Sequence, residues 1–136
     1  MEKDIIELIP KTMEKFFGCS GRMVRPSIKT VKAIIRKVDQ GKIATLEQLK
    51  EKIANDFGVQ RTCPATLNKA LKELSLQEKP ICYWRVVKKN GELISLFPGG
   101  VEGQASLLKK EGLEINFKRK NPIVVSFQAK LVETLN

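Results

Sequence analysis

Apolar residues recur along this chain first with a helical period and later with a strand period. Ile5, Ile6, Leu8, Ile9 and Met13 predict an amphipathic first helix, interrupted near Pro10 and ending in Phe16 and Phe17 before the Gly18-Cys19-Ser20-Gly21 break. Ile28, Val31, Ile34, Ile35 and Val38 predict a second helix, with Pro26-Ser27 as its start signal and Gly41 as its stop. Thr45 and Gln48 have capping-box spacing: a hydroxyl for one orphan amide and a carboxamide three residues on for another. Leu46, Leu49, Ile53 and Phe57 continue that helix on one face, and Gly58 ends it. Cys63-Pro64 opens the next, with Leu67, Ala70, Leu71 and Leu74 facing inward. Two such helices around a short glycine-containing connection have helix-turn-helix spacing, which a plain helical bundle would share.

Beyond Pro80 the pattern changes. Ile81 to Lys88 is aromatic and β-branched, Asn90-Gly91 is a hairpin signal, and Leu93 to Phe97 predicts the returning strand. A helix follows Gly99-Gly100 and ends at Glu111-Gly112. Leu113 to Phe117 and Ile123 to Phe127 then predict a second strand pair around Lys118-Arg119-Lys120-Asn121-Pro122. Helices followed by hairpins give the expected class: α+β, a winged-helix-like helix-turn-helix domain with β-hairpins. Residues 1–24 read as an N-terminal helical extension, 25–112 as the winged-helix-like unit, and 113–136 as a basic β extension.

Composition narrows the chemistry. With 136 residues, 42% hydrophobic and 29% charged, the chain has the make-up of one soluble domain. No apolar run approaches the ~20 residues of a membrane span. Met1-Glu2-Lys3-Asp4 lacks a signal-peptide layout, so a cytoplasmic location and no membrane partner are expected. Cys19, Cys63 and Cys82 are odd in number and lack CxxC spacing, which leaves little support for a disulfide framework or a zinc site. The absence of histidine removes the commonest metal ligand and the commonest general base together. No metal and no cofactor are expected. The net charge of +10 attracts polyanions, because each neutralised phosphate releases counterions.

Three motifs, in order, carry a resemblance. Gly41-Lys42-Ile43-Ala44-Thr45 is followed by Arg85-Val86-Val87 with Asn90-Gly91-Glu92-Leu93. Last comes Gly99-Gly100-Val101-Glu102-Gly103-Gln104-Ala105-Ser106-Leu107-Leu108-Lys109-Lys110-Glu111-Gly112. Over residues 28 to 112 the chain resembles the DNA-binding domain of methylated-DNA–protein cysteine methyltransferases. It also resembles the short alkyltransferase-like proteins, which lack the reactive cysteine yet bind alkylated DNA. The resemblance implies a recognition helix in the minor groove and an altered base flipped out at a cost of a few kcal/mol.

The family's nucleophile lies in Pro-Cys-His-Arg-Val-Val, where this chain has Pro80-Ile81-Cys82-Tyr83-Trp84-Arg85-Val86-Val87. Counting back from Arg85 puts Trp84 at the histidine and Tyr83 at the nucleophile. Counting forward from Ala70 puts Cys82 at the nucleophile. On a strand the two registers present opposite faces. The Arg85 anchor is preferred, since it lies closest and needs no bulge. A thiol with an ordinary pKa needs a cationic neighbour, a base or a helix N-terminus. The family's activating histidine has no substitute here, and the carboxylate of Glu111, at the family's glutamate, by itself opposes thiolate formation. Leu46 stands where the family has a tyrosine that assists nucleotide rotation. Ala65 or Thr66 stands where it has the arginine that fills the vacated stack.

The implied base pocket is therefore Tyr83, Trp84 and Arg85, with at least one ring in the core. Duplex DNA is the implied partner, contacted by Arg61, Thr62, Thr66, Asn68, Lys69 and Lys72 on or before the recognition helix. Lys42, Lys88 and Lys89 would add phosphate contacts, and Lys118 to Lys120 have the same option in the later turn. The expected function is non-catalytic DNA binding. The alternatives are a divergent alkyltransferase accepting the alkyl group on Cys82 with Glu111 nearby, and a protein-interaction domain that has lost DNA.

Overall fold

In the computed structural model, which describes residues 3–136, the first element is a strand and not the expected helix. Strand β1 (Ile5–Leu8) leads through Pro10 into helix α1 (Lys11–Phe17). Ile5, Ile6 and Leu8 are exposed and only Ile9 is buried, so burial does not hold this segment. Its backbone does, by antiparallel pairing with strand β2 (Arg22–Arg25), where Ile5 faces Arg25 and Leu8 faces Arg22. Pro10, with φ fixed at −58°, separates strand from helix.

Asp4 ties this segment to the helices that follow. Its carboxylate accepts hydrogen bonds from the Ser27 amide (2.7 Å) and the Thr30 hydroxyl (2.8 Å), at the start of helix α2 (Ile28–Ile35). Ser27 is the N-cap, as expected, accepting from the Thr30 amide. The helix stops short of Gly41: Lys37 and Val38 donate to the carbonyls of Ile34 and Ile35 in tighter turns.

Strand β3 (Ala44–Thr45) runs into helix α3 (Leu46–Phe57), where both halves of the capping box form. Gly58 closes α3 in the left-handed region at φ 64°. Strand β4 (Arg61–Thr62) lies within the connection to helix α4 (Pro64–Ser75), whose proline occupies the first turn, where no amide partner is lost. A 3-10 turn (Tyr83–Arg85) follows, then strand β5 (Val86–Val87) and helix α5 (Gly100–Lys110). Strands β6 (Ile115–Asn116) and β7 (Ile123–Val124) and helix α6 (Phe127–Lys130) complete the chain.

The result is a mixed α+β fold with small sheets. β2 lies between β1 and β4, parallel to β4; β3 pairs parallel with β5; β6 and β7 form the expected antiparallel pair. The main core gathers the inner faces of α2, α3 and α4 with Tyr83, Val86, Ile94 and Phe97. Val132 and Leu135 of the C-terminal segment join it. A second core packs Ile43, Val87 and Leu93 against α5, Leu113, Ile115 and Val124. Among the described residues no helix is long and apolar enough to cross a membrane.

The hairpin expected over 81–97 is absent. Tyr83–Arg85 make the 3-10 turn, and only Val86–Val87 pair, with β3 and not with a returning strand. The reason lies on α5. Gln104, fully buried, accepts from the Ile94 amide (2.7 Å) and donates to the carbonyls of Val86 (2.7 Å) and Trp84 (3.0 Å). One side chain thus takes up backbone groups that a hairpin ladder would have used. Only the turn survives: Gly91 donates to the Lys88 carbonyl, and Lys88 to that of Glu92 (both 2.9 Å).

Candidate nucleic-acid interface

Helix α4 presents two unlike faces. Thr66, Leu67, Ala70, Leu71, Leu74 and Ser75 are buried, whereas Ala65, Asn68, Lys69, Lys72 and Glu73 are exposed. Positions 65, 68, 69 and 72 follow the i, i+3, i+4, i+7 rule and form one outward stripe. Glu73 lies one turn beyond Lys69, at the far end. Contacts with α2 and with the 3-10 turn fix the helix from behind.

The expected DNA contacts divide accordingly. Asn68, Lys69 and Lys72 share the outer stripe, and exposed Arg61 precedes the helix with its guanidinium on the carbonyls of Gln60 (2.8 Å) and Phe17 (3.3 Å). Thr62 and Thr66 do not reach this surface. Thr62 donates to the Lys50 carbonyl (2.7 Å), and Thr66 donates to the Cys63 sulfur (3.3 Å) and accepts from Arg25 Nη1 (3.4 Å). The buried stripe is two positions wider than Leu67, Ala70, Leu71 and Leu74 suggested: Thr66 stands one turn before Ala70, and Ser75 one turn after Leu71. Lys42 sits between α2 and β3, on a cleft with Lys37 and Gln128 and away from α4. Lys88 and Lys89 are exposed in the turn after β5.

Glu111, at the C-terminal end of α5, collects hydrogen bonds from three residues in two parts of the chain. It accepts from the Gly41 amide (2.8 Å), from the Trp84 indole Nε1–H, and from Arg85 Nε, which lies 3.0 Å from both carboxylate oxygens. Arg85 also donates to the Val38 carbonyl (2.7 Å). The side chains of Arg85 and Glu111 are 14% and 8% exposed. Burial alone would push the Glu111 carboxyl up, but the donors from Gly41, Trp84 and Arg85 outweigh it and hold the group below its ordinary range.

The implied base pocket also divides. Tyr83 is the core ring, 5% exposed, tilted on Phe97 (centroids 4.7 Å apart) and edge-on to Trp84 (5.2 Å). Burial raises its hydroxyl pKa. Arg85 is spent on Glu111 and Val38, and Trp84 is half-buried with its polar edge on Glu111. Cys82 is a half-buried free thiol. Successive residues of a 3-10 turn diverge by roughly 120°, so the two-faced strand argument about register does not apply here.

Two residues escaped the sequence reading. Arg25 reaches from β2 to Glu7 on β1 (2.7 Å) and to the Cys63 sulfur at the head of α4 (3.5 Å), contacts that depend on the pairing of β2 with β1 and with β4. Gln104 did leave a signal: it is the polar member of an otherwise apolar face with Val101, Ala105 and Leu108. A cleft of about 430 Å³ beside α3 is lined by Phe16, Phe17, Glu47, Lys50, Glu51 and Arg61, among others. Among the described residues no group of acids and cysteines could hold a metal ion. Comparison with protein families, curated proteins and solved structures finds no match to this chain.

Proposed function

We propose that this chain is a non-catalytic duplex-DNA-binding protein of the alkyltransferase-like type, working through a winged-helix unit whose reader is α4. The observation that carries the proposal is the outward stripe of Asn68, Lys69 and Lys72, preceded by Arg61, on a helix whose opposite face is locked into the core. Cations on that stripe would neutralise phosphates, and Asn68 can offer a base edge both a donor and an acceptor.

The Trp84–Glu111 pair supports the absence of alkyl transfer. A histidine in this place could donate one ring N–H to the carboxylate and use its other nitrogen to take a proton from a nucleophile. An indole has only the donor. Trp84 therefore makes the structural half of such a relay and lacks the chemical half. With no histidine in the chain, Cys82 has no imidazole to activate it.

The test is fluorescence anisotropy with a labelled duplex, with and without one O6-methylguanine, across a salt series. The three cations on and before α4 contribute roughly −3 to the slope of log Kobs against log salt. Intact-mass analysis afterwards should show an unmodified chain. Absence of salt-dependent duplex binding overturns the reading, and one methyl group gained on Cys82 makes the protein an alkyltransferase.

A further inference from the structure

We infer that the β6–β7 hairpin and the turn after β5 form a single phosphate-gripping wing, a second contact on the DNA backbone beyond the α4 stripe. The inference rests on the DNA-binding reading and adds to it a surface built by the C-terminal segment.

The two loops are far apart in sequence and stitched together in space. Val124 donates to the Gly91 carbonyl (3.0 Å) and Leu93 to the Pro122 carbonyl (2.9 Å), and Glu92 bridges to Ile123. Gly91 has φ +85°, and any Cβ there would lie 2.5 Å from Phe127 Cγ, so the ring of α6 seats directly on the turn. Each loop is shaped by its own asparagine: Asn90 Oδ1 accepts from the Glu92 amide (3.2 Å), and Asn116 Oδ1 from the Lys118 amide (2.9 Å). Lys109 of α5 stands 4.6 Å above the Phe117 ring at the foot of the second loop.

This scaffold brings Lys88 of one loop and Arg119 of the other to the same carboxylate, Glu92, with Lys89, Lys118 and Lys120 as their neighbours in sequence. All five cations are exposed, and the only acid in either loop is Glu92. Asn90 first, then Asn121, Lys88 and Arg119, hold the Glu92 carboxyl below its ordinary range, which places the two loops around one point. Among the described residues none of the five makes a salt bridge, whereas Lys50 and Lys52 on α3 are paired with Glu47 and Asp56. Uncompensated cations on a fixed backbone raise the local potential where an anion can relieve it. Arg119 can hold a phosphate through two parallel N–H bonds. A lipid surface would also want exposed apolar side chains among the cations. Here the one large ring, Phe117, already carries Lys109, so a nucleic-acid backbone is the better match.

The test compares three variants of the full chain on one duplex across a salt series. The Lys118→Ala/Arg119→Ala/Lys120→Ala chain should bind roughly ten to a hundred times more weakly at low salt, with a slope shallower by about 2 to 3. Its melting temperature should be unchanged. Glu92→Gln, which removes the sole anion, should bind a few-fold tighter, a gain that local disruption would not produce. Asn68→Ala/Lys69→Ala/Lys72→Ala probes α4 separately. If the loop variant matches wild type while the α4 variant weakens, the wing is wrong and the DNA reading stands. If the loop variant weakens and the α4 variant does not, the wing holds and α4 is not the reader. A wild-type chain without salt-dependent duplex affinity overturns both. So does loop-dependent binding to phosphatidylserine vesicles with none to duplex.

Discussion

Residues 27–75 and residues 82–97 pack into the same core but are held there by different means. In the first region the ends of α2 and α3 are closed by neighbours in sequence: Ser27 with Thr30, Thr45 with Gln48, and Gly58 after Phe57. In the second, the backbone is satisfied from a distance, by Gln104 on α5 and by the Pro122 carbonyl. Glu111 belongs to this second kind, joining Gly41, Trp84 and Arg85. Local closure is redundant, since a lost cap frays one turn. A remote polar partner has no understudy, and its loss strands several buried groups at once.

That contrast sets the size of each expected effect. Gln104→Leu keeps the bulk and removes every hydrogen bond, orphaning groups at Ile94, Trp84 and Val86. Urea denaturation should show a loss of about 3–5 kcal/mol; a loss under ~1 kcal/mol would break the comparison.

Glu111→Gln should come next, at about 3 kcal/mol, because Arg85 is left partly buried without its counter-charge. Its pH dependence has a definite sign. The folded carboxyl lies below the ordinary value of about 4.3, so the unfolded chain binds the proton more readily. Glu111 therefore stabilises fully above that value, and the contribution fades as pH falls through the lower folded pKa. The gap between wild type and Glu111→Gln should be constant near neutrality and shrink below about pH 4. A gap that widens on acidification would contradict the assignment.

Thr45→Ala removes one half of the capping box and should cost about 1 kcal/mol in the same assay. Smallest of all, Lys69→Ala and Lys72→Ala should leave stability within about 0.5 kcal/mol, since both side chains are exposed. If they nonetheless weaken duplex binding, the outer stripe of α4 serves a ligand and not the fold.

Legibility followed the same division. Caps, stop glycines and inward stripes of α2, α3 and α4 could be read because each is an agreement between residues three or four apart. The N-terminal segment misled because Ile5, Ile6 and Leu8 have helical spacing but no helix to bury, and β2 offered their backbone a partner instead. Thr66 looked like a surface residue because its own turn gives no hint that Arg25 meets it from β2. For the candidate site, the pairing of Trp84 with Glu111 was visible only as a correspondence of motifs, with no distance attached.

What the amino-acid order determined unaided was periodicity: which faces of α2, α3 and α4 are apolar, where those three helices start, and that the chain carries excess positive charge without an imidazole. Tertiary structure alone decided which backbone groups find partners far along the chain. That choice made Tyr83–Arg85 a 3-10 turn in place of the expected strand, placed Tyr83 inside, and brought Lys88 and Arg119 to the same carboxylate. The physical reason is that a burial pattern repeats over a few residues and leaves its imprint locally. A buried hydrogen bond between distant residues, by contrast, exists only once the rest of the fold has brought its donor and acceptor together.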